Sequence, residues 1–304
     1  MFGIKTKIKN ALKLFRQKSM QTKFAIWLNP IIRPYWLRFK LKFKLIPSRI
    51  ETTIFIYARN FFAKNRKRME CVISWLYDEE SKNTYLKMIK FRQTANFNDH
   101  VDHGIDTQYF INDFFKYGKN EVLIDCGAFD GDTIEKFIAL PNMEYQKIIA
   151  FEANERNFEI LQSKFRDNPK IILINEGVWS KCGQLYFSGN GTDGIVSESP
   201  TDILGDGKRD ISIKVRSIDS LQIKEKVTFI KADIEGSEME MLKGARETIL
   251  RDKPRLAICI YHSNEDMIRI PEYIHTLVPE YKLYVRHHGY YPSPCETVLY
   301  AQIV

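Results

Sequence analysis

The segment Asp125–Thr133 combines glycines and acids in the way that a nucleotide-binding loop does. It reads Asp-Cys-Gly-Ala-Phe-Asp-Gly-Asp-Thr and follows Val122–Ile124, an apolar run typical of a buried strand. Gly127 and Gly131 permit a tight turn and a close approach of the backbone to a ligand. The pattern predicts a ligand-binding loop between a strand and a helix, although a glycine turn without a ligand has the same pattern.

Glu152 follows the second predicted strand, Ile148–Phe151, and lies 21 residues beyond Gly131. An acid at this strand tip can accept hydrogen bonds from both ribose hydroxyls of a nucleoside. An isolated acid at this position could equally well serve to interact with the dipole of the next helix. The loop and the acid together indicate a nucleoside cofactor. The expected cofactor-binding residues are Asp125, Gly127, Ala128, Asp130, Gly131, Thr133, Glu152 and Asp233.

The composition of the loop favours S-adenosylmethionine over a dinucleotide. Counted from Gly127, Phe129 and Asp132 stand where G-x-G-x-x-G has its second and third glycines. Asp125, Asp130 and Asp132 would repel a pyrophosphate but suit a ligand with an ammonium and a sulfonium. Asp132, or the threonine after it, is expected to cap the following helix.

Two further strand tips are expected to face the same crevice. The fourth strand, Val227–Ile230, runs into Lys-Ala-Asp-Ile-Glu-Gly-Ser-Glu, which places Asp233 and Glu235 at its end. The fifth, Leu256–Ile260, is followed by a tyrosine and His262. Carboxylates and an imidazole beside a cofactor could accept a proton from a substrate.

These loops must be positioned by a sheet, and the pattern from residue 121 onward predicts one. Short apolar runs alternate with helical ones, which is typical of an α/β fold with a doubly wound, mostly parallel sheet. Further strands are expected at Ile171–Ile174, Leu283–Val285 and Val298–Ala301, seven in all. Leu185–Phe187 and Ile211–Val215 are expected to add an antiparallel insertion. The predicted helices are Thr133–Leu140, Arg156–Phe165, Glu238–Leu250 and Met267–Val278.

The motifs resemble those of the FkbM-type methyltransferase family. The resemblance rests on the D-x-G-x-x-x-G loop, the acid after the second strand, and K-x-D-x-E-G-x-E over 231–238. It extends to Gly244-Ala245, Lys253-Pro254, Tyr261-His262 and 296–301, and covers about Glu121 to Val304. Weaker echoes occur at 78–82 and 108–110. The resemblance implies a Rossmann-like class I methyltransferase fold.

The resemblance also implies an S-adenosylmethionine-dependent O-methyltransferase, often acting on a sugar hydroxyl in glycan, lipopolysaccharide or natural-product synthesis. Asp233, Glu235 and His262 are then the candidate catalytic residues. Asp233 could instead hold the methionine ammonium, Glu235 could serve the turn, and His262 could be structural. A metal on these three residues is chemically possible, but their spacing does not require one, and none is predicted.

The N-terminal part of the chain is strongly basic. Residues 1–70 hold 18 Lys and Arg against two acids, a net +16, whereas the whole chain carries +8, so residues 71–304 carry −8. Residues 4–18 place apolar and basic positions at the spacing of an amphipathic helix, and 31–45 form a second basic, aromatic run. A docked helix or a solvated extension has the same composition.

We predict three parts: a basic arm over 1–70, a helical cap over 71–120 and a methyltransferase domain over 121–304. Residues 51–117 are expected to be mainly helical, with a loop over 93–107. The expected partners are a glycan or other small hydroxyl acceptor and, through residues 1–45, an anionic membrane, rather than nucleic acid. Five widely spaced cysteines indicate neither a disulfide framework nor zinc. These features predict a cytoplasmic protein, peripheral on the inner face of the membrane.

Two other functions compete with this interpretation. A nucleic-acid methyltransferase could use the basic arm, but the N/D-P-P-Y/F element of base methylation does not follow the fourth strand. A non-catalytic binding module anchored to the membrane by the arm is the other alternative.

Overall fold

The computed structural model describes residues 48–94, 96–188, 195–197, 211–290 and 293–304 of the 304-residue chain. The predicted amphipathic helix over 4–18 and the aromatic run over 31–45 lie outside these residues. The three-part division at residues 70 and 120 stays a prediction.

The described chain begins with three helices, continues as an alternation of strands and helices, and ends in an antiparallel strand pair. The helices are α1 Ser48–Lys64, α2 Arg66–Trp75, α3 Glu79–Thr94, α4 Asp132–Ile138, α5 Glu155–Phe165, α6 Glu238–Gly244, α7 Arg246–Asp252 and α8 Asp266–Leu277. The strands are β1 Glu121–Cys126, β2 Tyr145–Phe151, β3 Ile171–Ile174, β4 Gly177–Val178, β5 Gly183–Ser188, β6 Ile195–Ser197, β7 Ile211–Arg216, β8 Phe229–Ala232, β9 Arg255–Cys259, β10 Lys282–His287 and β11 Thr297–Gln302.

The main sheet has seven strands in the order β10-β11-β9-β8-β1-β2-β3. Its strands are parallel except for β11, which runs antiparallel to both neighbours. The predicted doubly wound, mostly parallel seven-stranded sheet is therefore confirmed. The chain winds outward from β1 through β2 to β3, then returns to β8 on the other side of β1. In such sheets ligands bind in the crevice outside the carboxyl ends of the strands at a reversal of this kind, which lies here between β1 and β8.

Alternating side chains of the strands supply two cores, one on each face of the sheet. Within β1, Val122 and Ile124 point into one core and Leu123 into the other, as the two-residue period of a strand requires. The first core is covered by the N-terminal helices together with α6, α7 and α8. The second is covered by α4, α5 and an aromatic segment that precedes β1.

The N-terminal helices are packed onto the sheet. Ala58 and Phe62 of α1 are buried in the first core, inside the stretch predicted as a basic arm. The ring of Trp75 stacks on His275 of α8 at 4.3 Å, and the Tyr85 hydroxyl donates to the backbone oxygen of Met267 at 2.9 Å. These contacts make the end of α1, α2 and α3 part of the folded body.

The structure departs from the predicted helical segments in two places. Residues 51–117 were predicted to be mainly helical outside a loop over 93–107, but the aromatic side chains of 108–117 are drawn into the second core, and Tyr109 has a φ of +68°. The predicted helix Glu238–Leu250 is two helices that meet at Ala245. Asp219 caps the start of the second helix, because its carboxylate accepts hydrogen bonds from the N–H groups of Glu247 and Thr248 at 2.9 Å each.

A second sheet is inserted between β3 and β8. It has the order β4-β7-β5-β6, and β5 pairs antiparallel with both β6 and β7. The predicted antiparallel insertion is therefore confirmed, with β4 and β6 as additional strands, of which β4 pairs parallel with β7.

The cysteines are all free, and Cys126 and Cys259 are buried, as the apolar runs around them indicate. Within the described ranges, no helix combines the length and the apolar character that crossing a membrane requires.

Candidate active site

The glycine loop after β1 is shaped by two close approaches of the backbone. Gly127 has a φ of +83°, and a Cβ there would lie 2.1 Å from the backbone oxygen of Asp233. Gly131 has a φ of +89°, and its Cβ would meet the Phe165 ring of α5 at 2.4 Å. Only glycine fits either position, because the neighbouring strand end and helix occupy the space of a side chain. The loop is thus pressed against the end of β8.

Asp125 lies beneath this loop and pairs with Lys231 of the adjacent strand. The two residues are register partners of β1 and β8, and the Lys231 Nζ is 3.1 Å from the Asp125 Oδ1. Their side chains are 0% and 3% exposed. The ammonium also donates to the backbone oxygen of Gly127 at 2.7 Å. Burial would lower the pKa of Lys231, but Asp125 and Asp233 outweigh it and raise that pKa. The pair therefore holds the loop from below.

The negative charges of the loop acids are offset by nearby lysines, which the sequence did not indicate. Asp125 has Lys231, the Asp130 carboxylate lies 3.8 Å from the Lys164 ammonium, and Asp132 lies 3.7 Å from Lys136. The repulsion expected against a pyrophosphate is therefore weakened, whereas the missing glycines still distinguish this loop from a dinucleotide loop.

Neither Asp132 nor Thr133 caps α4, contrary to expectation. The N-cap residue is Gly131, which has no side chain to accept a hydrogen bond. Asp132 is already the first helical residue, and the Thr133 hydroxyl is buried 3.4 Å from the Asp132 Oδ1. Asp130 accepts the Asp132 N–H at 3.2 Å instead. The turn thus uses Asp130, before Gly131, rather than Asp132 or Thr133 after it.

Glu152 is tied to the same loop. Its Oε2 accepts the N–H of Phe129 at 2.9 Å, and its Oε1 accepts the N–H of Asn154 at 2.8 Å. Burial raises the pKa of Glu152, and the two backbone N–H groups partly offset this. A carboxylate oxygen can accept more than one hydrogen bond, so both oxygens keep capacity for ribose hydroxyls.

Asp233 is fixed by two tyrosines at the end of β8. Its Oδ2 accepts the Tyr109 hydroxyl at 2.8 Å and its Oδ1 accepts the Tyr261 hydroxyl at 2.9 Å. Burial would raise the pKa of Asp233, but Lys231, His262 and the two hydroxyls outweigh it and lower that pKa. Asp233 is therefore an ionised carboxylate in a fixed orientation.

His262 lies among carboxylates at the end of β9. Its Nδ1 is 3.0 Å from the Glu238 Oε1, and its Nε2 is 3.5 Å from both Asp233 and Glu235. Burial would lower the pKa of His262, but Glu238 and the other two acids raise it to about 9. The imidazole is therefore protonated at neutral pH. A protonated ring cannot accept a proton, which argues against His262 as the general base.

Glu235 and Glu296 line the outer part of the crevice. Glu235 is exposed and forms the strand-to-helix turn with Gly236, their φ angles being +55° and +94°. Glu296 is held by the side chain of Gln108, which donates to its Oε2 at 2.5 Å. Burial and the charge of Asp233 raise the pKa of Glu296 to about 7.

The matches to known proteins fall on these same elements. A family model for the methyltransferase FkbM domain matches residues 125–291, more than half of the chain. The chain belongs to the FkbM methyltransferase family. The predicted family and the class I methyltransferase fold are thereby confirmed.

A crystal structure of methyltransferase FkbM from Methylobacillus flagellatus KT has the same fold. It is 27% identical, with a TM-score of 0.66, and the match covers 80% of this chain and 60% of that one. This FkbM chain thus spans about three fifths of the length of that relative. No curated protein sequence matches significantly.

Two other solved structures are much less similar to this FkbM domain. An rRNA methylase from Streptococcus thermophilus is 15% identical over 62% of this chain and 90% of its own. The protein SMU.1697c from Streptococcus mutans, solved in complex with SAH, is 13% identical over 62% and 91%. Both have TM-scores of 0.38, which carry no information on the reaction of this chain.

The structure brings the predicted site residues of the FkbM domain to one edge of the sheet, in two groups. The loop residues, including the buried Ala128, lie with Glu152, whereas Asp233, Glu235 and His262 lie together at the ends of β8 and β9. Their contacts with ligands stay predictions.

Sequence reasoning gave no role to five residues that shape the site. They are Tyr109, Lys231, Glu238, Tyr261 and Glu296. The alternation of a strand places Lys231 on the same side as Asp233, and this signal was available from the sequence. The other contacts join segments far apart along the chain.

We expect Lys231→Met to destabilise the FkbM domain by about 3–5 kcal/mol, because it leaves the Asp125 charge buried without a partner. Urea unfolding monitored by circular dichroism measures the loss. The Asp125→Asn, Lys231→Met double variant should recover part of it. Lys119→Met, which removes a lysine 3.2 Å from Glu144 on the surface, should change stability little. Equal effects of the two single substitutions would contradict a structural role for the buried pair.

Glu152→Ala should weaken S-adenosylmethionine binding by roughly tenfold or more, since each lost hydrogen bond to a charged group costs about 1.5–3 kcal/mol. Isothermal titration calorimetry measures this affinity. Glu155→Ala changes the nearby acid that begins α5, three residues after Glu152, and is the matched control. An unchanged affinity in a folded Glu152 variant would remove Glu152 from the cofactor site.

Proposed function

We propose that this protein transfers a methyl group from S-adenosylmethionine to a sugar hydroxyl, in the synthesis of a glycan or lipopolysaccharide-type molecule. The observation that carries the proposal is the division of the crevice between β1 and β8. A loop and an acid suited to a nucleoside lie on one side, and fixed polar side chains suited to a hydroxyl lie on the other.

The cofactor supplies an activated methyl group on a sulfonium. Glu152 and the loop from Gly127 to Thr133 would hold the nucleoside, while Asp233 would orient either the acceptor or the methionine ammonium. A hydroxyl becomes a good nucleophile when its proton is accepted. With His262 protonated, that role passes to the carboxylates of Asp233 and Glu235.

The charge of the crevice favours a neutral acceptor. Asp233, Glu235 and Glu238 surround His262, and residues 71–304 carry a net −8. A phosphorylated polymer would be repelled at this mouth, whereas a neutral sugar would not. The same argument disfavours a nucleic-acid methyltransferase, the runner-up.

Purified protein given methyl-labelled S-adenosylmethionine should label neutral glycans and leave RNA unlabelled. The label should survive mild alkali, because a methyl ether resists the hydrolysis that removes a methyl ester. Asp233→Asn should lower turnover by about 10²–10⁴ if this carboxylate accepts the proton. Thr107→Ala removes a hydroxyl in the loop before β1 and is the control for activity lost through the production and purification of a variant. Labelling of RNA in preference to glycan would replace this proposal by the nucleic-acid alternative.

We further propose that residues 1–45 hold the protein against the anionic inner face of the membrane. The support is the net +16 of residues 1–70 and the amphipathic spacing of 4–18. Each basic residue near such a surface contributes roughly 1 kcal/mol, and salt screens the attraction.

The protein should therefore sediment with vesicles containing phosphatidylserine and dissociate in high salt. It should not sediment with neutral vesicles. Deleting residues 1–20 should weaken sedimentation and leave S-adenosylmethionine affinity intact. Tighter binding of the arm to RNA than to anionic vesicles at equal salt would contradict a membrane partner.

A further inference from the structure

Three potential metal ligands converge at the ends of β8 and β9. Asp233, Glu238 and His262 each offer one ligand atom, and these atoms all lie within 4.8 Å of one another. Among the described residues, this is the group of histidine, cysteine and acidic side chains that converges in this way. The three residues come from a strand end, a helix start and a second strand end.

Two of these side chains are buried with polar atoms that lack hydrogen-bond partners. Glu238 is completely buried, and its Oε1 accepts the Ile234 N–H at 2.9 Å while its Oε2 has no partner. The His262 side chain is 10% exposed, and neither ring nitrogen makes a hydrogen bond of normal geometry, although carboxylates lie 3.0–3.5 Å away. Both ring nitrogens still face carboxylates, whereas the Glu238 Oε2 has no partner. Because buried polar atoms of native proteins are normally satisfied, this oxygen indicates a missing ligand.

The charges around this cluster also indicate a cation. Three carboxylates, those of Asp233, Glu235 and Glu238, lie within 3.5 Å of one imidazole. The buried Lys231 ammonium also acts on Asp233, but it is paired with Asp125 at 3.1 Å. Several carboxylates confined in a poorly hydrated place repel one another, and a bound divalent ion relieves that repulsion.

The surrounding hydrogen bonds would hold the ligands in position for a metal. Both oxygens of Asp233 accept tyrosine hydroxyls, and Glu238 is fixed by the Ile234 N–H. Hydrogen bonds of this kind orient carboxylate ligands in metal sites. Each Asp233 oxygen keeps a lone pair, because a carboxylate oxygen can accept two bonds.

We infer that Asp233, Glu238 and His262 bind a divalent metal ion at the acceptor side of the crevice, the ion displacing the proton that the imidazole carries without it. Two carboxylates and one imidazole are a donor set that suits Mn²⁺, Fe²⁺ or Zn²⁺. Three protein ligands leave coordination positions for water or an acceptor hydroxyl. The inference rests on the proposed function in one respect, namely that the ion would bind the acceptor hydroxyl and ease the loss of its proton.

The test uses the full chain, stripped with EDTA, and Mn²⁺ as the probe. Electron paramagnetic resonance reports free Mn²⁺, so a titration gives the stoichiometry and the dissociation constant directly. We expect one site per chain. S-adenosylmethionine affinity is measured on the same samples, with and without Mn²⁺. Cofactor binding without Mn²⁺ binding would overturn the metal site and leave the methyltransferase proposal standing. Mn²⁺ binding without S-adenosylmethionine binding would overturn the methyltransferase proposal and leave the metal site standing.

His262→Gln should weaken Mn²⁺ binding by at least about tenfold while S-adenosylmethionine still binds. Asp233→Asn, which keeps the shape of the side chain, is the second variant if the first does not fold. The matched control is His103→Gln, because His103 also lies between two carboxylates, Glu80 at 3.1 Å and Asp113 at 3.3 Å. Mn²⁺ binding that survives both cluster substitutions, or that is lost equally in the control, would overturn the inference.

Discussion

The buried ion pair between Asp125 and Lys231 is the constraint on which the crevice depends. It joins β1 to β8 where the chain reverses its winding, and it lies directly under the glycine loop. Burying two charges is costly unless each is paired and hydrogen-bonded, and the Lys231 ammonium meets this condition through Asp125 and the Gly127 carbonyl. The position of the loop is therefore coupled to the folding of the central strands.

The same pair decides the charge of the rest of the site. Lys231 pairs with Asp125 beneath the loop and also acts on Asp233, whereas Glu235 and Glu238 share the imidazole of His262 with Asp233. Tyr109 and Tyr261 add hydrogen bonds but no positive charge. The cofactor side of the crevice is thus close to neutral, whereas its acceptor side is rich in carboxylates. This contrast underlies both the neutral acceptor and the divalent ion that we propose for the site.

Four of the eight non-glycine residues with positive φ among the described residues lie around this crevice. Tyr109, Phe129, Glu235 and Glu296 all have positive φ angles, between +49° and +71°, although none is glycine. Such conformations are unfavourable for residues with a side chain and persist only where the surroundings impose them. Here the impositions are visible, as in the aromatic packing of Tyr109 and the Gln108 hydrogen bond to Glu296. The core of the fold supports the strained edge that lines the site.

The sequence alone determined the sheet and the two glycines of the loop, because strand and helix periods and the conformational freedom of glycine are local properties. It also indicated the family, since those motifs keep their spacing along the chain. It could not show that α7 is begun by the distant Asp219, nor that residues 108–117 leave the helical pattern to fill a core. It placed His262 at a strand end but could not show that Glu238 would lie 3.0 Å from its ring. That proximity sets the charge of His262 and brings the three potential metal ligands together. It arises only when β8, α6 and β9 pack together. A pKa depends on burial and on neighbours in space, and neither is encoded by spacing along the chain.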